Sequence, residues 1–426
     1  MVYQKMSQEL HMLLKKIGLK AKRAGAILNT ATSDQKNKFF DFAIDAIREN
    51  SDTILAANKT DIEAARINKK DEAFIDRLAL DKERLMGICN TLSEIQSFQD
   101  PIGRVLASWD RPNGLNISRV ATPLGVIGLI FESRPNVAAD AGGLCLKSGN
   151  AVILRSGKDG LRSAMAIVSS LQNALKKAGL PEECIQIVPS ENREAATMML
   201  EGLDGSIDVI VPRGGKSLVA EVERSAKVPV FGHLEGICHI YVDEYAEEKK
   251  ALSVCMNAKM RRTGICGAVE TILINEKILS SFAPKLAASL LNEKCEIRCC
   301  EKTIGFDARA VPASEDDWST EYLAPIVSIK AVANIDEAIE HIQNFGTGHT
   351  ESIISENKDV QARFTESIDS AIVMINASTQ FADGGEFGLG GEIGIATGKF
   401  HARGPVGVDQ LTSFKYIVSG DGHIRD

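Results

Sequence analysis

The 426-residue chain is poor in aromatic residues, at 5% with only two tryptophans, and it contains no apolar run approaching the roughly eighteen residues that a membrane-spanning helix needs. It opens Met1-Val-Tyr-Gln-Lys-Met-Ser-Gln-Glu-Leu10 without the apolar stretch of a signal peptide, so the expectation is a cytoplasmic protein with no membrane partner. No basic block follows a phosphate backbone, and the net charge of -8 argues against nucleic acid as a partner. The nine cysteines are odd in number and lack the paired short spacings of a zinc site, so neither a disulfide framework nor a metal is expected. Cys145 and Cys184 lie inside apolar runs and read as small buried hydrophobes. What the chain does have is 44% hydrophobic and 25% charged residues over a length that exceeds one ordinary core, which predicts two or three domains.

From Ser7 to Ser97 apolar residues recur at helical spacing, as in Phe39, Phe42, Ala43, Ala46 and Ile47, with start signals at Thr32-Ser33-Asp34 and Ser51-Asp52. A polar stretch from Asp100 to Gly114 then predicts a protruding hairpin. From Val126 onward short apolar runs alternate with amphipathic segments: Val126 to Phe131, Ala151 to Arg155, Cys184 to Val188, Ile207 to Val211 and Ile237 to Val242. That rhythm predicts a parallel sheet covered by helices on both faces, a nucleotide-binding architecture. A second alternating series follows Cys266, with strands expected near Ala268 to Ile274, Leu323 to Ile329, Glu351 to Ile354 and Ala371 to Ile375. The strand-like tail from Leu411 to Val418 would pair with the hairpin or with another subunit.

Two glycine-rich stretches are decoys. Gly214-Gly-Lys-Ser217 resembles the end of a phosphate loop, but Ile210 stands where the pattern needs a glycine. Gly388 to Gly394 has its third glycine displaced by one and no preceding strand, so it is a poor dinucleotide fingerprint. Cys266 carries more. It is preceded by Arg261 and Arg262, whose charge favours a thiolate, and followed by an expected strand; taken locally, a catalytic and a merely buried cysteine are equally open readings.

Over nearly its whole length the sequence resembles the gamma-glutamyl phosphate reductases, a branch of the aldehyde dehydrogenase superfamily. The stretches that carry the resemblance are Thr122 to Asn136, ending Glu-Ser-Arg-Pro-Asn136; Lys147 to Arg155; Ile210-Val-Pro-Arg-Gly-Gly215; Asn257 to Thr271; Phe345-Gly-Thr-Gly-His-Thr350; and Phe381 to Gly394. One departure sits beside the cysteine, where Gly267 stands in place of the asparagine usual in this group.

The resemblance implies an α/β, aldehyde dehydrogenase-like fold: a Rossmann-type cofactor domain (1–102 and 123–236, with 376–398 as a candidate return segment), a second α/β catalytic domain (237–375) and a small oligomerisation arm (103–122 and 399–426). It implies reduction of L-glutamyl 5-phosphate by NADPH to L-glutamate 5-semialdehyde in L-proline biosynthesis. Cys266 would expel phosphate to form a thioester, and hydride would convert that to a thiohemiacetal that collapses to aldehyde. The side-chain amide of Asn136 and the backbone N–H of Cys266 would stabilise the oxyanion. Gly232 occupies the position of the glutamate that hydrolytic members use to activate water, and a reductase must not hydrolyse its thioester. For NADP(H), Lys158 would attract the 2′-phosphate with help from Arg155. Gly214 and Gly215 would admit the pyrophosphate, and Glu321 would hold the nicotinamide ribose. Arg134, Arg261, Arg262 and His349 are the substrate-binding candidates. A homo-oligomer is expected, and glutamate 5-kinase is the candidate partner that would deliver the acyl phosphate. The rivals are another semialdehyde or acyl reductase of the superfamily and a non-catalytic nucleotide-binding scaffold.

Overall fold

The computed structural model describes residues 2–389 and 391–425, and they fall into two compact units, Met1–Gly232 with Leu389–Gly394 and Val406–Asp426, and His233–Gly388 with Ile395–Pro405. The first opens with helices Val2–Leu28, Ser33–Glu49, Ser51–Ile67, Glu72–Leu78 and Lys82–Ser97. The second of these starts where its sequence says it should: the Thr32 hydroxyl accepts from the Gln35 N–H and the Gln35 side chain reaches back, a reciprocal cap that satisfies two otherwise orphaned donors. Its inner face buries Phe39, Phe40, Ala43, Ala46 and Ile47, while Phe42 is only half-buried.

Strands β1 (Val105–Asp110) and β2 (Asn116–Pro123) form the expected hairpin, and the tail strand Thr412–Ser419 pairs with β2, Thr412 opposite Pro123 and Ser419 opposite Asn116. The tail therefore closes on its own hairpin. This three-stranded sheet is largely exposed, including Val105, Trp109, Phe414, Tyr416 and Val418.

The core of the first unit is a parallel sheet of β3 (Val126–Phe131), β4 (Ala151–Ser156), β5 (Ile185–Ile187) and β6 (Val209–Arg213) in the order β5-β4-β3-β6. Every residue of β3 and β4 is buried, as continuous apolar runs demand when helices cover both faces. The chain winds outward from β3 to β5 and then returns to the other side of β3, which places a switch in strand order, the usual ligand crevice, between β3 and β6. Gly149, at φ +77°, turns the chain from helix Val137–Lys147 into β4, and its neighbour Asn150 closes the helix end by donating to the Cys145 carbonyl.

The second unit is built on a sheet of β7 (Cys238–Val242), β8 (Val269–Asn275), β9 (Glu296–Cys299), β10 (Val311–Pro312), β11 (Ile326–Val332), β12 (Thr350–Ile354) and β13 (Ile372–Ile375), in the order β10-β9-β11-β8-β7-β12-β13. Two expectations change here. The run Ile237 to Val242 does not continue the first sheet, as the apolar rhythm suggested, but lies in the second unit, on the side of the 237 boundary that the resemblance implied: as β7 it pairs with β8 and β12. A buried apolar strand fits either sheet by pattern, and only its partners decide. Strands β9 and β10 were not expected, because one is four residues long and the other two. The grouping of the tail also differs from the sequence boundaries, with 376–388 in the second unit and Leu389–Gly394 in the first.

Candidate active site

In the first unit, Asn136 directly precedes helix Val137–Lys147 in helical backbone geometry and makes no cap hydrogen bond. Its amide instead donates to Asp140 Oδ2 at 2.8 Å, four residues on, where the helix brings the two side chains together. Burial pushes the Asp140 carboxyl up to about 6, opposed by the Asn136 hydrogen bond and the charge of Arg213. One amide hydrogen of Asn136 is thus fixed by a strong acceptor and the other is left to point elsewhere. Arg134, Asn136, Asp140, Arg213 and Glu392 line a small cavity beside this arrangement. Asp140 escaped the sequence reading, although its i,i+4 spacing from Asn136 was visible once the helix start is known.

The crevice between β3 and β6 tests whether this unit fits a dinucleotide. Arg155, near the end of β4, is buried, and its Nε has no hydrogen-bond partner; Glu132 favours its charge while burial opposes it. Lys158 follows two residues past β4, exposed at the start of the short turn Lys158–Gly160. Gly214 packs so closely that a Cβ would meet Leu218 at 2.7 Å and Glu132 at 2.9 Å, and Gly215 immediately precedes helix Lys216–Ser225 with open space above it. A buried guanidinium with an unpartnered Nε, an exposed ammonium and a glycine pair at a helix N-terminus are groups that suit an anionic dinucleotide. The residues fit.

In the second unit, Cys266 occupies a turn between helix Glu248–Met260 and β8. It is half-buried, whereas Cys145, Cys184, Cys255 and Cys295 are buried with thiols pushed up to about 12, and Cys299 to about 11. Cys300 is also half-buried, and its sulfur meets Thr303 Oγ1 and the Ala331 N–H, both at 3.4 Å. The carbonyl of Cys266 accepts from Cys238 Sγ at 3.1 Å, and Gly236 lies against it: a Cβ on Gly236 would stand 2.3 Å from that carbonyl oxygen. The Gly236 segment is pinned by Glu321 Oε1, which accepts from the Gly236 N–H at 2.9 Å, and by Thr347 Oγ1, which accepts from Ile237. Glu321 therefore holds the wall against which the cysteine packs. Gly267 faces the Thr379 carbonyl, 3.1 Å from where a Cβ would stand, so a larger residue there would have to move that turn.

Two histidines flank the thiol. The imidazoles of His233 and His349 meet edge to face with centroids 4.7 Å apart, and their ligand atoms and Cys266 Sγ all lie within 4.8 Å of one another. His349 is buried, its pKa pushed down to about 3 by burial and by the neighbouring His233. It is therefore a neutral imidazole beside the thiol, not a cation for a phosphate. Arg261 is exposed and donates to Gln380 Oε1, and Arg262 is also exposed. Two carboxylates of this unit have partners of their own. Glu270 pairs with buried Lys259, and Glu351 accepts from both the backbone N–H and the ring of His239.

The chain belongs to the aldehyde dehydrogenase family, which it matches over residues 11–297 and 308–417. Members of this family use nicotinamide cofactors. Within it the chain is similar to a gamma-glutamyl phosphate reductase of Parvibaculum lavamentivorans, 53% identical over 98% of this chain and 99% of the relative, and to one of Brucella anthropi, 55% identical over 97% of each. A solved gamma-glutamyl phosphate reductase from Thermotoga maritima superposes with a TM-score of 0.95 at 44% identity, covering 97% of this chain and 100% of that one.

Proposed function

We propose that the chain reduces L-glutamyl 5-phosphate to L-glutamate 5-semialdehyde with release of phosphate, with NADPH as reductant and a thioester on Cys266, as a step in L-proline biosynthesis. It is an oxidoreductase acting between the acyl phosphate and the semialdehyde. The observation that carries the chemical reading is Cys266 itself, a half-buried thiol on a turn whose backbone is held from behind by Gly236, among cysteines that are mostly buried. The thiolate attacks the acyl carbon, the bond from that carbon to the phosphate oxygen breaks, and phosphate leaves with the electron pair. NADPH, when bound, supplies the hydride that takes the acyl group to the aldehyde level. Asn136 and the Cys266 N–H are assigned to the developing oxyanion, and Asp140 is assigned to hold the Asn136 amide. Arg155, Lys158, Gly214 and Gly215 are assigned to the dinucleotide, Glu321 to its ribose as well as to Gly236. Arg134, Arg261 and Arg262 remain the candidates for the substrate's anionic ends, with His349 as a neutral donor.

The test runs the reaction backward. With glutamate semialdehyde, NADP⁺ and phosphate, NADPH should form only when phosphate is present, and aspartate semialdehyde should be the poorer substrate. Phosphate-independent turnover would mean that water cleaves the thioester and would overturn the reductase reading.

Two variants examine supporting roles. Lys158→Glu is expected to lower the preference for NADPH over NADH by about tenfold or more, the scale of one lost charge-assisted hydrogen bond; an unmoved ratio removes Lys158 from the cofactor site. Asp140→Ala is expected to lower kcat roughly ten- to hundredfold with little change in KM, because a misaimed amide weakens only transition-state binding. The exposed sheet of β1, β2 and the tail strand is proposed as the face that meets a second copy, since a monomer has no use for so many exposed apolar residues on an edge.

A further inference from the structure

We infer that Cys266, His233 and His349 form a binding site for a single zinc ion, one that silences the enzyme reversibly by capturing its thiolate. The inhibition rests on Cys266 being the nucleophile; the binding does not. The three ligand atoms lie within 4.8 Å of one another, and tetrahedral zinc, with bonds of about 2.0–2.3 Å, brings its donors to roughly 3.3–3.8 Å apart. A movement of about an ångström at the side-chain ends closes the difference.

Both imidazoles are set up as metal ligands are. The ring nitrogen His233 Nδ1 is 2.7 Å from the Ile395 carbonyl, to which it can only donate, so in the neutral ring the other nitrogen is the one that carries the lone pair. The Nδ1 of His349 is 2.9 Å from Thr350 Oγ1, and its Nε2, buried, has no hydrogen-bond partner. Cys238, although 3.6 Å from His349 Nδ1, is not a fourth ligand, because its sulfur donates to the Cys266 carbonyl. The fourth position falls to water. Two nitrogens and a sulfur select zinc over magnesium or calcium, which take oxygen ligands. The three residues stand 33 and 83 positions apart along the chain, from His233 to Cys266 and from Cys266 to His349, so no cysteine spacing announced the site.

The test uses the whole purified protein, freed of metal with a chelator. Competition against a chromogenic zinc chelator should show one tight site per chain in the wild type, weakened more than a hundredfold in Cys266→Ala and in His233→Ala, since even outer-shell partners of a metal are worth about 10–100-fold. Cobalt(II) should give a sulfur-to-metal charge-transfer band that Cys266→Ala abolishes and Cys300→Ala keeps. Zinc should inhibit the wild type with return of activity on chelation, while magnesium and calcium leave it unchanged. His349→Ala perturbs a buried position, so His233→Ala, at a half-buried one, is the deciding variant, with circular dichroism as the check on folding. Zinc uptake that is absent, or that Cys266→Ala and His233→Ala leave intact, overturns the site even if Cys266 proves essential for turnover. Turnover that survives in Cys266→Ala overturns the catalytic reading and the inhibition, and zinc uptake by the wild type then still decides whether the site exists.

Discussion

Cys266→Ala is expected to lose turnover by on the order of 10⁴-fold or more while keeping its fold, as happens when a covalent nucleophile is removed and only binding and oxyanion donors remain. The removed sulfur is half-buried, so the cost in stability is small compared with a core truncation. The measurement is phosphate-dependent NADP⁺ reduction with glutamate semialdehyde, accompanied by circular dichroism and thermal melting. Cys300→Ala is the matched control: it removes the other half-buried thiol, whose sulfur bonds to Thr303 and Ala331, and should leave the rate within about twofold. Alkylation extends the test to the wild type, where activity should fall in step with modification of Cys266 and be protected by substrate. A rate in Cys266→Ala above about 1% of wild type would exceed what the remaining donors supply and would sink the thioester.

The sequence made much of this legible, and for identifiable reasons. Continuous apolar runs such as Val126–Phe131 could only be strands buried on both faces, and Thr32 with Gln35 fixed a helix start because a cap is a local interaction. Cys266 was legible only through the stretches around it; its two upstream arginines turned out to be exposed, with Arg261 bonded to Gln380. What pattern could not give is anything decided by distant partners. The sheet to which Ile237–Val242 belongs depends on β8 and β12, and the thiol's neighbourhood joins segments around residues 236, 266, 321 and 349. His349 is the instructive case. Its place in the motif marked it as a substrate donor, and depth of burial, which no motif encodes, holds its ring in the neutral form.

The same dependence on distant contact makes Gly236→Ala the sharpest test of the loop. The backbone of Gly236 does not have the positive φ that reserves a position for glycine, so alanine is conformationally acceptable there and the effect must be steric. The added Cβ would meet the Cys266 carbonyl oxygen at 2.3 Å and the Cys266 Cβ at 2.9 Å, too close for either atom to stay. Because hydrogen bonds to Glu321 and Thr347 hold the 236–237 segment, the cysteine turn is expected to be the part that yields. A displacement of the nucleophile by about an ångström costs on the order of 10²-fold, so kcat/KM should fall at least about 100-fold. Thiol modification of Cys266 should change with it, since the Cys238 bond to the Cys266 carbonyl would be broken as well. Gly264→Ala is the control on the same turn. Its nearest neighbour, the Leu323 carbonyl, would be 3.8 Å away, an ordinary contact, and the rate should stay within about twofold. Equal effects from the two substitutions would mean that loop flexibility, and not the wall behind the cysteine, sets the rate.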